Sequence, residues 1–159
     1  MQDSLDVKFM TLALREAEKA GKRNEVPVGA ILALDGRVIA RGHNRKEFSV
    51  SQDPTAHAEI IALRRAAKKL KSWRMTKASL YVTLEPCLMC MGAIIQSRIS
   101  RIVFAAFDPK AGACGSLYDV SNDLRLNHRV EVRSNVMEEE SKKLLKGFFS
   151  ALRKKRRPR

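Results

Sequence analysis

The chain has 159 residues, with 31 Lys or Arg against 17 Asp or Glu, a formal charge of +14 and an ordinary apolar share of 45%. This length and composition fit one compact domain with a proper core, and no apolar run is long enough to span a membrane. The first residues, Met1 to Asp6, carry two acids and no apolar stretch of the secretory type, and three cysteines is an odd count; both point to a reduced, cytoplasmic setting.

Residues 5–20 read as a helix, with Leu5, Phe9, Leu12, Ala13, Ala17 and Ala20 at helical spacing and Gly21 as its stop. Val26–Leu34 and Arg37–Gly42 read as strands joined by Asp35-Gly36, a strong hairpin signal. Asp53-Pro54 predicts a helix start, with Asp53 as the cap, and the helix runs to about Leu70. Leu80–Leu84 is a strand, Cys87 to about Gln96 a helix, Arg101–Ala106 a strand and Arg129–Arg133 a weaker one. Met137 to about Leu152 closes the chain as a helix, with Asn135 as its cap, acids in its first turn and bases at its end, in the sense the helix dipole favours. The expected organisation is a single α/β domain over 1–152, a mixed sheet with helices on both faces, followed by a basic, disordered tail over 153–159.

One constellation carries chemistry: His57-Ala58-Glu59 followed by Pro86-Cys87-Leu88-Met89-Cys90. Cys87 and Cys90 are three apart and share a helix face, whereas His57 and Glu59 are two apart and do not. His57 and Glu59 serve one site only if it lies beyond the end of their helix. The inferred arrangement is therefore two helix N-termini aimed at one metal, where the dipoles favour thiolates. Three protein ligands, one His and two Cys, leave a fourth zinc position open, which separates a catalytic zinc from a closed structural one. Glu59 is left free to move protons. H-x-E with P-C-x-x-C is the signature of zinc-dependent nucleobase deaminases.

Charge is the second signal. Seven Lys or Arg fall between Arg64 and Lys77 with no acid among them, and six more crowd Arg153 to Arg159. Either patch alone reads as a solvated surface. Two of them beside a nucleobase-type metal motif point to a polyanion, and hence to nucleic acid. The basic stretches lack the Trp/Phe-rich apolar face of a membrane-surface helix.

On these residues the chain resembles the cytidine-deaminase-like superfamily, and within it the bacterial tRNA-specific adenosine deaminases. The similarity runs from about Phe9 to Phe149. It is carried by Glu25-Val26-Pro27-Val28-Gly29-Ala30, His43-Asn44-Arg45, Asp53 to Glu59, Tyr81 to Cys87, Phe107-Asp108-Pro109-Lys110 with Gly112 and Gly115-Ser116, Asn127-His128-Arg129 and Phe148-Phe149. The metal motif alone is common to the superfamily. The Asp108–Ser116 stretch and the basic, aromatic C-terminus point to the tRNA branch.

The resemblance implies a three-layer α/β/α fold with a five-stranded mixed central sheet, and a homodimer. It implies hydrolytic deamination of the wobble adenosine in a tRNA anticodon stem-loop to inosine. Asn44 is implied to hydrogen-bond the purine, Ala58 to contact it through its backbone, and Asp108 to fix the backbone of the target nucleotide. Phe107 and Pro109 flanking Asp108 depart from the family pattern, as does the strongly basic tail.

The expected chemistry uses one Zn²⁺ per chain, which lowers the pKa of bound water from 15.7 to about 7. The hydroxide attacks C6 of adenine, while Glu59 takes the water proton, delivers one to N1 and protonates the leaving amine. An anticodon loop presents the base already unstacked.

Other residues carry quieter readings. Cys114 reads as a small core or loop residue and His128 as a structural hydrogen-bonding group. From the residues alone, Asn44 reads equally as a strand-end turn residue. Of Phe148 and Phe149 at least one belongs to the core, and Phe149 is the candidate to stack on an RNA base, with Arg153 opening the basic run behind it. Trp73 reads as an anchor in the core or a dimer interface. Two competing functions remain: a deaminase of free nucleosides or bases, which has no need of the +14 charge, and a non-catalytic zinc RNA-binding module, which has no need of Glu59.

Overall fold

A computed structural model describes residues 2–47 and 52–156. The elements are α1 (Gln2–Lys22), β1 (Gly29–Leu34), β2 (Arg37–His43), α2 (Ala58–Leu70), β3 (Ser79–Leu84), α3 (Leu88–Gln96), β4 (Arg101–Ala106), β5 (Glu131–Arg133) and α4 (Glu138–Arg156). The strands form one five-stranded sheet in the order β2-β1-β3-β4-β5. β1 is antiparallel to β2 and β3, and β3, β4 and β5 run parallel. The mixed α/β/α architecture is therefore as expected.

The hairpin signal has its physical counterpart at Asp35 (φ 51°) and Gly36 (φ 72°). Two consecutive positive φ values make the tight turn whose twist matches the strands it joins. The central strands read as apolar runs because both their faces are covered. On one face Ala30, Leu32, Leu80, Val82, Ile102 and Phe104 meet Ala58, Ala62 and Ala66 of α2 and Met91 and Ile94 of α3. On the other, Ile31, Ala33, Tyr81, Val103 and Ala105 meet Phe9, Met10, Ala13 and Leu14 of α1, with Leu144 of α4 packed beside them.

A buried charge knot ties the first helix to the sheet. Asp6, fully buried, accepts hydrogen bonds from Tyr81 Oη (2.8 Å), Arg101 Nη1 (2.7 Å) and Nη2 (2.9 Å), and Arg133 Nη1 (2.6 Å). Burial raises its pKa, but the bonds from Arg101, Tyr81 and Gln2 outweigh it and hold the carboxyl at about 2.

α1 runs Gln2–Lys22 and not 5–20, β1 begins at Gly29 and not Val26, and β5 begins at Glu131 and not Arg129; the helix boundaries that follow differ as well. α2 begins at Ala58, not Pro54, because Asp53 Oδ1 accepts from Thr55 N (2.8 Å) and Oγ1 (2.7 Å) in a local turn and caps no helix. α3 begins at Leu88, with Cys87 as its N-cap. α4 begins at Glu138, preceded by Asn135 (φ 63°) and Met137 (φ 58°) in the left-handed region, so Asn135 bends the chain instead of capping it. α4 continues through Arg153 to Arg156; the acids of its first turn and the bases of its last suit the dipole, and Ala151 and Leu152 line a groove against α1. The rest of the expected tail, 157–159, lies outside the described residues.

Candidate functional site

The site forms where strands hand over to helices at one end of the sheet. His57 is the N-cap of α2 (φ −76°, ψ 153°) and Cys87 the N-cap of α3 (φ −74°, ψ 175°), so both side chains leave extended backbone at a helix start. Cys90, in the first turn of α3, is fully buried. The Nδ1 of His57 lies 3.6 Å from Cys87 Sγ and 3.5 Å from Cys90 Sγ, and the three ligand atoms fall within 4.8 Å of one another. A tetrahedral cation with Zn–N of about 2.0–2.1 Å and Zn–S of about 2.3 Å requires an N···S separation of about 3.6 Å. The donor set and its spacing thus fit zinc.

The electrostatics agree. The Cys87 thiol is lowered to about 4, first by a hydrogen bond from Cys90 and, against the opposing effect of burial, by His57. Cys90 is pushed up because it donates to Cys87 and is buried. His57 is raised chiefly by its bond to Cys87. Glu59, only 4% exposed, is raised by burial, with His57 and Cys90 acting against it.

Among the described residues no fourth protein ligand joins the group. His43 Nδ1 pairs with Glu16 Oε2 at 2.9 Å, His128 Nε2 binds the carbonyl of Ile99 at 2.6 Å, and Cys114 is a buried loop residue outside the group. The structural readings of His128 and Cys114 therefore hold.

Asn44 is buried beside the metal group, where its Oδ1 accepts from Ala58 N at 2.9 Å. This bond ties the end of β2 to the start of α2, next to His57 and Glu59. The close approach of the two elements depends on Gly42, whose added Cβ would sit 2.3 Å from the Ala58 carbonyl oxygen.

Asp108 lies in the loop beyond β4. Its Oδ1 accepts from Lys110 N (3.0 Å) and Ala111 N (3.3 Å), and Gly112 of the same loop bridges to Cys87. Phe149 (40% exposed) and Arg153 sit on α4, which packs against α1 and the opposite face of the sheet, so they do not join the metal group. Phe148 lines the groove against α1 and meets Phe149 edge-on at 5.4 Å, which leaves Phe149 as the exposed member of the pair. Trp73 is not in the core: it is 58% exposed, with the Arg74 guanidinium 4.9 Å from its ring centre.

The sequence reading missed Glu85 and Gly42. Glu85 is 2% exposed and takes four hydrogen bonds from the Asp108–Ser116 loop. An acid ending an apolar strand one residue before Pro86-Cys87 was the available signal. Nothing in the local sequence marks Gly42, because its role is a contact between two elements.

Comparison with known proteins agrees with this geometry. The family model of MafB19-like deaminases matches residues 5–153. The tRNA-specific adenosine deaminase of Bacillus subtilis (strain 168) is 47% identical over 98% of this chain and 94% of its own. That of Haemophilus influenzae is 47% identical over 99% and 90%. A structure solved in biochemical and structural studies of A-to-I editing by tRNA:A34 deaminases at the wobble position of transfer RNA superposes with a TM-score of 0.83 at 48% identity. It covers 87% of this chain and 99% of that one.

Proposed function

This chain belongs to the bacterial tRNA-specific adenosine deaminases, within the cytidine-deaminase-like superfamily, and we propose that it hydrolyses adenosine to inosine at the wobble position of a tRNA anticodon. The observation that carries this reading is the His57–Cys87–Cys90 group at zinc-ligand spacing with the buried carboxyl of Glu59 beside it. His57, Cys87 and Cys90 hold one Zn²⁺. Bound there, zinc supplies water with a pKa lowered to about 7. Glu59 accepts one proton from the water and delivers it to N1 of the purine, then takes the second from the hydroxyl formed at C6 and passes it to the departing amine, so a single carboxylate serves in turn as base and acid. Its burial keeps bulk water from competing for those protons.

Asn44 and Ala58, already bonded to each other, present one edge of the pocket to the purine. The Asn44 carbonyl oxygen is taken by Ala58, so its amide nitrogen is the group offered to the base. Asp108 holds the backbone of the target nucleotide with the carboxylate oxygen its own loop leaves unused, and Phe149 and Arg153 meet RNA further from the reacting atom.

The surface favours RNA over a free nucleoside. The seven cations from Arg64 to Lys77 are all exposed, and among the described residues none makes an ion pair. Arg64 and Lys68 are four apart on α2, and Lys71 follows at its C-terminal end. A free nucleoside gains little from these cations, whereas phosphates of a stem-loop gain much. Assembly as a homodimer belongs to the same reading. It is supported by the apolar surface between α2 and α3, lined by Ile60, Leu63, Ala67, Met75 and Ala93 beside the exposed Trp73. No described helix is long and apolar enough to cross a membrane, and the reading places the enzyme with its tRNA in the cytoplasm.

The test is incubation of the purified protein with anticodon stem-loops, scoring inosine at each adenosine. Conversion confined to the wobble adenosine is expected, and absence of inosine from a folded, zinc-loaded protein would overturn the reading.

A further inference from the structure

Glu85 is a buried acid that the chemistry above does not use. It directly follows β3, two residues before the ligand Cys87, and is 2% exposed. Its Oε1 accepts from Asp108 N (2.9 Å) and from the Ser116 hydroxyl. Its Oε2 accepts from Cys114 N (2.9 Å) and Ser116 N (3.0 Å). All four donors belong to the loop after β4. An ionised carboxylate offers about four lone-pair sites, so these donors saturate it. A neutral amide of the same shape has to turn an N–H₂ towards N–H donors and cannot satisfy them. A carboxylate at this position meets all four donors at once, and an amide does not.

The neighbouring backbone extends the clamp. Glu85 N donates to Ala106 O (2.8 Å), Ala113 N donates to Pro86 O (2.8 Å), and Cys87 bridges to Gly112. One loop is thus fastened to Glu85, Pro86 and Cys87 in succession. A Cβ on Gly112 would fall 2.2 Å from the Glu85 carboxyl carbon, so the loop closes over the carboxylate as tightly as backbone allows. The loop carries half-buried Asp108 and exposed Phe107, Leu117 and Tyr118.

We propose that Glu85 is a positioning residue: its carboxylate locks the 107–118 loop in register with the metal-binding turn, so that the grip on the target nucleotide and the pocket for its base are set by one buried anion. This rests on the tRNA deaminase reading, in which Asp108 holds the nucleotide.

The experiment is Glu85→Gln in the full, zinc-loaded chain, with three readouts. Zinc stays at one per chain, because Glu85 touches no ligand side chain. Amide exchange at Asp108, Cys114 and Ser116 speeds up about tenfold or more, while the sheet amides hold. On the anticodon stem-loop KM rises about tenfold or more while saturated kcat moves less than about threefold. Unchanged exchange at the three amides overturns the proposal, as does an unchanged KM, with or without loss of kcat. If Glu85→Gln does not fold, Ser116→Ala removes the hydroxyl donor alone. It should raise KM about two- to fivefold with kcat kept, and an unchanged KM overturns the proposal. Absence of inosine from the wild type defeats the functional reading instead, and the exchange readout, taken without substrate, still decides whether Glu85 locks the loop.

Discussion

Gly42→Ala tests whether the pocket depends on how closely β2 approaches α2. The added Cβ would lie 2.3 Å from the Ala58 carbonyl oxygen and 2.9 Å from Ala62 N, where ordinary contact begins at 3.4 Å. Both neighbours are backbone, so no side chain can rotate away. The first turn of α2 has to retreat by about 1 Å, and a misplacement of that size near reacting groups can cost about 10²-fold in rate. That turn holds His57, Ala58 and Glu59 together. Overpacking of this kind costs about 1–3 kcal/mol, which for a chain of this size lowers Tm by roughly 2–12 °C. The assay is kcat/KM on an anticodon stem-loop, with Tm and zinc retention against a chelator measured on the same protein. All three should fall. Gly147→Ala is the control: nothing lies within 4 Å of its added Cβ, and it sits inside α4. It should raise stability by about 0.5–1 kcal/mol and leave activity alone. A Gly42→Ala protein with wild-type Tm, zinc retention and kcat/KM would refute the argument from close approach.

Glu59→Gln should keep fold and zinc but lower turnover by about 10²–10⁴-fold, since the amide cannot carry protons; a variant retaining most of its turnover would remove Glu59 from the mechanism. Asp6→Asn should cost about 3 kcal/mol in denaturant unfolding, because Arg101 and Arg133 lose their shared anion. The folded-state pKa of Asp6 is depressed from 3.8 to about 2, so its contribution is present above about pH 4 and lost as pH falls through 2; an acid-unfolding curve should show that component in the wild type and lack it in the variant. Replacing Arg64, Lys68 and Lys71 by Ala should weaken stem-loop binding and flatten its log–log salt slope by ~0.7–0.9 for each lost phosphate contact, with saturated kcat retained. An unchanged slope would make those cations a solvated surface.

The metal group was legible in the sequence because its constraint is local. Cys87 and Cys90 are three apart across a helix start, and the mismatch between His57 and Glu59 places their site beyond a helix end. The hairpin was legible for the same reason, since Asp35-Gly36 dictates its own backbone. What the sequence concealed depends on contacts between distant segments. Pro54 suggests a helix start, but Thr55 donates both its N–H and its hydroxyl to Asp53 Oδ1 in a local turn, and the helix begins at Ala58. Glu85 looks like a charged strand end until the 108–116 loop folds over it. Gly42 has no local signature at all.

The central claim is that this pocket deaminates adenosine within an anticodon loop and not a free nucleoside. Single-turnover inosine formation tests it, with zinc-loaded protein in excess over an anticodon stem-loop and, in parallel, over free adenosine and free cytidine. The account predicts conversion of the wobble adenosine alone, at a rate far above that on either nucleoside. Comparable rates on a free nucleoside and on RNA, or inosine spread over several adenosines of the loop, would contradict it.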